Sequence, residues 1–166
     1  ARLRSEVEFP VIGNGDVQIA DDVFAMLEQT ECDLTMAGRA LAARPWLLWQ
    51  VGERLGFSTP SGVDEKNLGV ISSETGLRRA PQTPVEEGAE YGKALLKLIA
   101  HSREYFGETL ALRKVRFHVR MTSMWLHFGQ SLISVTTKGK TLDEVEAGVR
   151  SFFEGNIEMA PKTDLR

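Results

Sequence analysis

Cysteine is almost absent from this 166-residue chain, since Cys32 is the only one. A single thiol can form no internal disulfide, and without paired cysteines there is no thiolate site for zinc or an iron–sulfur cluster. Cys32 directly precedes an apolar segment, where a small side chain usually serves packing. These absences exclude a disulfide-stabilised fold, and we predict no bound metal.

Long apolar runs are missing as well. No stretch approaches the roughly 18 consecutive apolar residues that a membrane-spanning helix requires, and no signal peptide opens the chain. Hydrophobic residues make up 42% and charged residues 26% of the sequence, which is typical of a soluble globular protein. We therefore expect a cytoplasmic protein that does not contact membranes.

What the sequence does contain is a βαβ pattern near its beginning. Two short apolar runs, at 9–13 and 33–37, end in Asn14-Gly15-Asp16 and in Gly38-Arg39. Because the carboxyl ends of parallel strands lie at the same edge of a sheet, we expect these two glycine corners to meet. The helix between the runs is predicted from apolar residues at helical spacing, namely Ile19, Val23, Met26 and Leu27.

A pair of glycine corners in this arrangement is suited to bind phosphate. Glycine lets backbone N–H groups approach an anion, and a helix beginning nearby adds the positive end of its dipole. Arg39 would supply a planar set of donors that matches phosphate oxygens. Asp16 could accept a hydrogen bond from a sugar or ribityl hydroxyl. Each corner alone is common, one as a turn and the other as a surface arginine, but together they predict an anion site.

These corners resemble those of the tRNA-dihydrouridine synthases. Residues 10–17 (PVIGNGDV), 32–40 (CDLTMAGRA) and 44–47 (RPWL) are similar to the last barrel strands of that family. The family pattern there is close to PVIANGDI, then a strand rich in small residues that ends in GR, then NPW or RPW. The resemblance implies a flavoenzyme that uses FMN and NADPH to reduce a uridine of tRNA to dihydrouridine.

The resemblance also implies roles for individual residues. The phosphate and ribityl chain of FMN would be held by Asn14, Gly15, Asp16, Gly38 and Arg39. The catalytic cysteine of the family lies in an Asn-x-Gly-Cys-Pro type motif, which this chain lacks. Cys32 is therefore not its equivalent, and we predict no catalytic residue in this segment.

The chain is too short for the complete fold that the resemblance implies. A (β/α)₈ barrel, or TIM barrel, needs about 250 residues. We therefore predict an α/β plus all-α C-terminal fragment, which fits a chain that begins with Ala1 and with the apparent end of a helix at 1–7. Its predicted parts are the last two βα units of a flavin-binding barrel at 1–56, a linker at 57–82, a helical tRNA-binding domain at 83–155 and a frayed tail at 156–166.

Helix signals divide these parts further. Pro45 at a first helical position predicts a helix over 44–55. In the linker, 68–71 is the piece that we expect to pack against a neighbour. Capping boxes at 83–86 and 141–144 begin two amphipathic helices, and a third is predicted between them at 109–128. Three such helices in succession would form a small bundle.

Positive charge is concentrated in the middle helix and its surroundings. The whole chain has a net charge of −3, yet residues 103–140 contain seven Lys or Arg against two Glu. A basic helix face can follow an RNA backbone, and the resemblance places an Arg-Lys pair of this domain on tRNA. The other interpretation is an ordinary solvated face. The predicted RNA-binding residues are Arg113, Lys114, Arg116 and Arg120.

Two other functions stay open at this point. Phosphate corners after the last barrel strands are shared widely, so the chain could belong to another FMN- or phosphate-binding TIM-barrel oxidoreductase. A non-catalytic helical module that binds RNA or protein and carries a barrel remnant is the alternative from a different class. An Asn-x-Gly-Cys-Pro motif upstream would favour the synthase, whereas the 166-residue chain alone is expected to be inactive.

Overall fold

A computed structural model of the chain describes residues 2–164. Short strands and helices come first, and longer helices follow. The elements are α1 (Arg2–Glu6), β1 (Ile12–Asn14), α2 (Ala20–Thr30), β2 (Leu34–Met36), α3 (Arg39–Ala43), α4 (Leu47–Arg54), β3 (Val70–Ile71), β4 (Arg78–Arg79), α5 (Pro84–Tyr105), α6 (Glu108–Thr122), a 3-10 helix (Ser123–Trp125), α7 (Gly129–Lys138) and α8 (Leu142–Phe152).

The predicted βαβ unit is confirmed. Strands β1 and β2 pair in parallel, with Gly13 opposite Thr35, and α2 connects them. A Cβ on Gly13 would lie 2.7 Å from both the Cys32 and the Met26 sulfur atoms, so only glycine allows this close packing of strand and helix. Cys32 is buried there, which confirms its role as a packing residue.

One face of the two-stranded sheet is apolar and open. A sheet of two strands has two free edges and is marginally stable by itself, so such a surface normally packs against further structure. The exposed side chains are Phe9, Ile12, Leu34 and Met36. The outward position of these residues agrees with the prediction that this part is a fragment of a larger sheet.

The segment after β2 is more divided than predicted. Instead of one helix over 44–55, α3 ends at Ala43, a turn contains Pro45 and Trp46, and α4 begins at Leu47. The bend buries Leu47 against Ala40 of α3 and a residue of α2. The early part of the chain thus has its own small core, and the sequence prediction missed α3.

The predicted linker contains structure. Strands β3 and β4 form an antiparallel hairpin, and Leu68 packs against a buried cluster that includes Trp49. Gly69 has a φ of +72°, and a Cβ there would lie 2.4 Å from the Arg79 carbonyl oxygen. The expectation that 68–71 packs against a neighbour is therefore confirmed, and the hairpin in 57–82 is an element that the sequence did not predict.

Residues 84–152 form four α-helices rather than the predicted three. The capping box that begins α5 is present, because Thr83 and Glu86 exchange side-chain to backbone hydrogen bonds. The predicted helix over 109–128 ends early: α6 stops at Thr122, and α7 begins at Gly129. The bundle core is contributed by all four helices and includes Leu95, Ile99, Val115, Val119, Leu132, Val145 and Val149.

The tail is packed rather than frayed over its described part, residues 156–164. Met159 is 1% exposed and pairs with Leu126, while the Ala160 N–H donates to the Trp125 carbonyl oxygen at 2.7 Å. A Cβ on Gly88 would lie 1.9 Å from a carbonyl oxygen of this tail, so α5 needs glycine where the tail crosses it. The prediction for residues 165 and 166 lies outside the described residues.

Two structural features are absent from residues 2–164. No helix in this range is long and apolar enough to cross a bilayer. No group of three or more His, Cys, Asp or Glu side chains in the same range could hold a metal ion.

Candidate functional site

The two glycine corners meet, as the parallel strands require. Strand β1 ends at Asn14 opposite Met36, so Gly15-Asp16 and Gly38-Arg39 leave the same edge of the sheet. The Arg39 Nη2 atom lies 3.1 Å from Asp16 Oδ1, and the two side chains are 57% and 74% exposed. The corner therefore presents a guanidinium and a carboxylate to solvent at the ends of both strands.

The two glycines at this corner have different surroundings. A Cβ on Gly15 would meet the terminal methyl of Met26 at 2.9 Å, so this glycine lets the loop lie close to α2. A Cβ on Gly38 would meet nothing within 4 Å. Space is thus open beside Gly38, where a ligand can approach the backbone next to Arg39. Guanidinium and backbone N–H donors beside an open position fit the phosphate of a nucleotide cofactor.

The loop that carries Asp16 is held from behind by the beginning of α2. The Asp22 carboxylate accepts hydrogen bonds from the backbone N–H groups of Gln18 and Ile19, at 2.9 and 3.2 Å. Lys162 of the tail lies 2.5 Å from the same carboxylate. Burial opposes ionisation of Asp22, but the bonds from Lys162 and the two N–H groups outweigh it and lower its pKa.

A buried ion pair joins the early part of the chain to α5. The Arg44 Nε atom lies 3.2 Å from Glu87 Oε2, and Trp46 and Gln50 donate to the other carboxylate oxygen at 3.1 and 3.0 Å. Arg44 also donates to the carbonyl oxygen of Ala160. Burial lowers the pKa of Arg44, and the adjacent Glu87 carboxylate partly offsets this effect. Trp46 is a buried packing residue of this network.

The predicted RNA-binding residues on α6 fall into two groups. Arg113, Lys114 and Arg120 are exposed, and the Lys114 ammonium lies 4.7 Å from the centre of the Phe106 ring. Arg116 is different, because it donates to the carbonyl oxygens of Thr136 and Gly139 at 3.1 and 2.6 Å. Arg116 thus satisfies the carboxyl end of α7, and its guanidinium is less available to RNA than those of the other predicted residues.

Exposed apolar side chains share this surface, and the sequence analysis missed them. Phe117 is 66% exposed, and Met121 and Met124 are about half exposed. We call the combined surface the basic–apolar face, and it consists of Arg113, Lys114, Phe117, Arg120, Met121 and Met124. The sequence pattern could have predicted this face. Leu112, Val115 and Val119 recur at the spacing of a buried helix face, and the residues of the basic–apolar face are the positions left over for the solvent side.

A groove lies at one end of the basic–apolar face. It has a volume of about 320 Å³ and is lined by Arg120, Met124 and Gln130, among others. The cation of Arg120 offers a charge for a phosphate, and the thioether of Met124 offers an apolar contact for a base. The amide of Gln130 offers a hydrogen-bond donor and an acceptor for the edge of that base. The face and groove together can contact each chemical part of a nucleotide.

Comparison with known proteins identifies the family. The family described as Dihydrouridine synthase (Dus) matches residues 1–140. A probable tRNA-dihydrouridine synthase of Mycobacterium leprae (strain TN) is 31% identical over 148 residues, which cover 88% of this chain and 33% of that protein. The tRNA-dihydrouridine synthase B of Pseudomonas aeruginosa is 24% identical over 153 residues, which cover 92% and 40%.

A further relative matches more closely over a shorter segment. The probable tRNA-dihydrouridine synthase of Aquifex aeolicus (strain VF5) is 44% identical over 45 residues, 27% of this chain and 14% of that protein. The chain spans only a third to two fifths of the relatives that it matches along most of its length. These matches confirm the resemblance found in the sequence, and the family fold implies that the βαβ part is a fragment of a TIM barrel. The chain belongs to the dihydrouridine synthase family.

Proposed function

We propose that this chain is the part of a tRNA-dihydrouridine synthase that anchors FMN and binds tRNA. The full-length protein would reduce a uridine of tRNA to dihydrouridine, with NADPH as reductant. One observation carries the proposal: Arg39 and Asp16 meet at the ends of two parallel strands, where barrel enzymes hold phosphate groups. Relatives named as tRNA-dihydrouridine synthases support it.

Arg39 would bind the FMN phosphate, together with backbone N–H groups beside Gly38 and Gly15. Its ion pair with Asp16 is exposed to solvent, and exposed ion pairs contribute little to stability, so exchange of this contact for a phosphate costs little. Asp16 would then accept from the ribityl chain, and Asn14 would fix the loop. FMN, when bound, supplies the hydride-transfer chemistry. These five residues would hold and orient it.

The basic–apolar face of α6 would bind the RNA. Arg113, Lys114 and Arg120 would contact phosphates, and Phe117 would stack on an unpaired base. We leave Arg116 out, because its guanidinium is already used by α7. Charge favours RNA over a protein partner here: within residues 2–164, neither Arg113 nor Arg120 forms an ion pair, so their charges are available to an anion.

No catalytic group is assigned to this segment. Cys32 is buried beneath Gly13 on the far side of a strand from solvent, so its thiol is not placed to protonate a uracil ring. The protein's own contribution in this segment would be to bind and orient the cofactor and the RNA. The proton donor would belong to a part of the full-length protein outside this segment.

The experiment that tests the proposal uses the full-length protein. Purified protein is incubated with unmodified tRNA, FMN and NADPH, and the nucleosides are then analysed by mass spectrometry. We expect a bound flavin and the formation of dihydrouridine. Flavin without dihydrouridine would support a different flavin-dependent oxidoreductase, and RNA binding without flavin would support the non-catalytic module. Either result would overturn the proposed activity.

A further inference from the structure

Gln18 lies in the loop between β1 and α2, two residues beyond Asp16. Its side chain is 6% exposed, although glutamine usually lies at the surface. The amide is bonded at both ends: Oε1 accepts from the Trp125 indole at 2.9 Å and from the Thr163 N–H at 2.8 Å, and Nε2 donates to the Thr163 carbonyl oxygen at 2.9 Å. A side chain held this completely has a single conformation.

The partners of Gln18 belong to the other half of the molecule. Trp125 is buried, and it directly follows Met124, which is part of the basic–apolar face. Thr163 belongs to the tail that also pairs with Leu126 and covers α5. One amide therefore connects the loop of the flavin corner with the end of the helix that carries the RNA face.

The contacts that join the loop to the tail differ in burial. Gln18 is buried, whereas Lys162, which pairs with Asp22, is more exposed. The ion pair between Asp22 and Lys162 connects the same loop to the same tail, but the Lys162 side chain is 55% exposed. Water can replace much of an exposed pair, whereas a buried amide that loses its partners leaves unsatisfied donors and acceptors. The position of this loop relative to Trp125 and the tail therefore depends more on Gln18 than on the Asp22–Lys162 pair.

We propose that Gln18 is a positioning residue, which sets the RNA-binding helices at a fixed distance and angle from the flavin corner. This inference rests on the proposed function. Hydride transfer requires the reacting atoms to be nearly in contact, and a misplacement of about 1 Å can slow a reaction by roughly 100-fold. Gln18 would act through Trp125 and Thr163, without contacting either FMN or the uridine.

The test compares variants of the full-length protein in single-turnover reactions. The flavin is reduced beforehand, and unmodified tRNA is supplied at saturating concentration. In Gln18→Leu, the rate of dihydrouridine formation should fall by at least ~10-fold, because the loop that follows Asp16 loses its fixed position relative to Trp125. Flavin content and the Kd for tRNA should both stay within about 2-fold of the wild type, because neither binding surface is changed.

Two further variants make the test specific. Trp125→Phe removes the indole donor and keeps an aromatic ring, so it should also slow the reaction, and its combination with Gln18→Leu should be no slower than Gln18→Leu alone. This variant decides the question if Gln18→Leu does not fold. Lys162→Ala, the matched control at the exposed side of the joint, should leave the rate within about 2-fold.

The proposal is overturned in either of two ways. The rate could stay unchanged in Gln18→Leu and Trp125→Phe, or it could fall only in proportion to a loss of flavin or of tRNA affinity, which is what general destabilisation would cause. A failure of the proposed function looks different, because the wild-type protein itself would then form no dihydrouridine.

Discussion

Arg44 and Glu87 form an ion pair that is shielded from solvent, between the turn before α4 and the first turns of α5. A buried charge that loses its partner is strongly unfavourable. We predict that Glu87→Gln lowers the free energy of unfolding of the full-length protein by about 3–5 kcal/mol, because Arg44 would remain charged and uncompensated. Chemical denaturation measures this change.

The matched variant for this prediction removes both charges. Arg44→Met combined with Glu87→Gln should be more stable than Glu87→Gln alone, because no unpaired charge remains. If Glu87→Gln alone unfolds at the same denaturant concentration as the wild type, the ion pair does not stabilise the contact between α5 and the turn before α4.

Flavin affinity should depend on Arg39 more than on other arginines of the early segment. We expect Arg39→Ala to weaken FMN binding by about 10- to 100-fold, since a charge-assisted hydrogen bond contributes roughly 1.5–3 kcal/mol. Titration of the apoprotein with FMN, followed by fluorescence quenching, measures the Kd. The control is Arg54→Ala, because Arg54 also pairs with an exposed aspartate but lies away from the strand ends. Equal affinities in both variants would refute the assignment of Arg39.

The salt dependence of tRNA binding should reveal the phosphate contacts. Removing both charges in Arg113→Ala, Lys114→Ala should flatten the slope of log K against log salt by about 1.4–1.8, because each phosphate contact accounts for roughly 0.7–0.9. Filter binding over a salt series provides the slope. Arg116→Ala should leave the slope as it is, since that guanidinium binds the end of α7. If the double substitution leaves the slope unchanged, Arg113 and Lys114 are ordinary solvated residues that do not contact tRNA phosphates.

Stacking by Phe117 should contribute to the affinity for tRNA without contributing to its salt dependence. Phe117→Ala should weaken tRNA binding by about 1–3 kcal/mol, the usual contribution of one stacked base, with an unchanged salt slope. Because the ring is exposed, the thermal midpoint should not fall. Leu48→Ala removes an equally exposed apolar side chain from α4 and should leave RNA affinity unchanged. A loss shared by both variants would contradict the stacking role.

Acid stability should depend on Glu86. The hydrogen bond from Arg79 is the main cause that lowers the pKa of Glu86 from 4.5 to about 2 in the folded protein. The folded state therefore binds a proton at Glu86 less tightly than the unfolded state does. The stabilisation by the ionised carboxylate is complete above about pH 4.5 and is lost as the pH falls toward 2. The shift corresponds to at most about 3 kcal/mol, and solvent screening of this partly exposed pair reduces that contribution.

The measurement for Glu86 is a series of denaturation curves between neutral and acidic pH. Glu86→Gln should be less stable than the wild type at neutral pH, and the difference should shrink below pH 4.5. Glu154→Gln, a change at an exposed carboxylate beyond α8, should follow the wild-type curve. A constant difference between Glu86→Gln and the wild type across the series would disprove the linkage.

Local signals in the sequence predicted the parts of the fold that local interactions determine. The apolar periodicity around Val23 and the two glycine corners predicted the βαβ unit, and Thr83 with Glu86 predicted where α5 begins. Each of these signals operates within a few residues of the chain. They therefore also located the candidate flavin corner, whose cofactor role stays a prediction.

What the sequence did not reveal depends on contacts between distant residues. The bundle turns at Phe128, which adopts the left-handed conformation with φ of +60° although it is not glycine. The next residue is Gly129, and a Cβ at this position would lie 2.0 Å from the Ser123 carbonyl oxygen. Only glycine fits there. Since α7 was not predicted, the carbonyl groups that bind Arg116 were not predicted either.

The tail that joins the two parts has a consequence for the order of folding. Gln18 and Thr163 are separated by 145 positions in the chain, and Asp22 and Lys162 by 140. Chains are synthesised from the N-terminus and domains generally fold as they emerge, so the loop after β1 must wait for its partners until almost the whole segment has left the ribosome. Contacts over such separations form slowly. The contacts between the tail and the loop after β1 are therefore expected to form last.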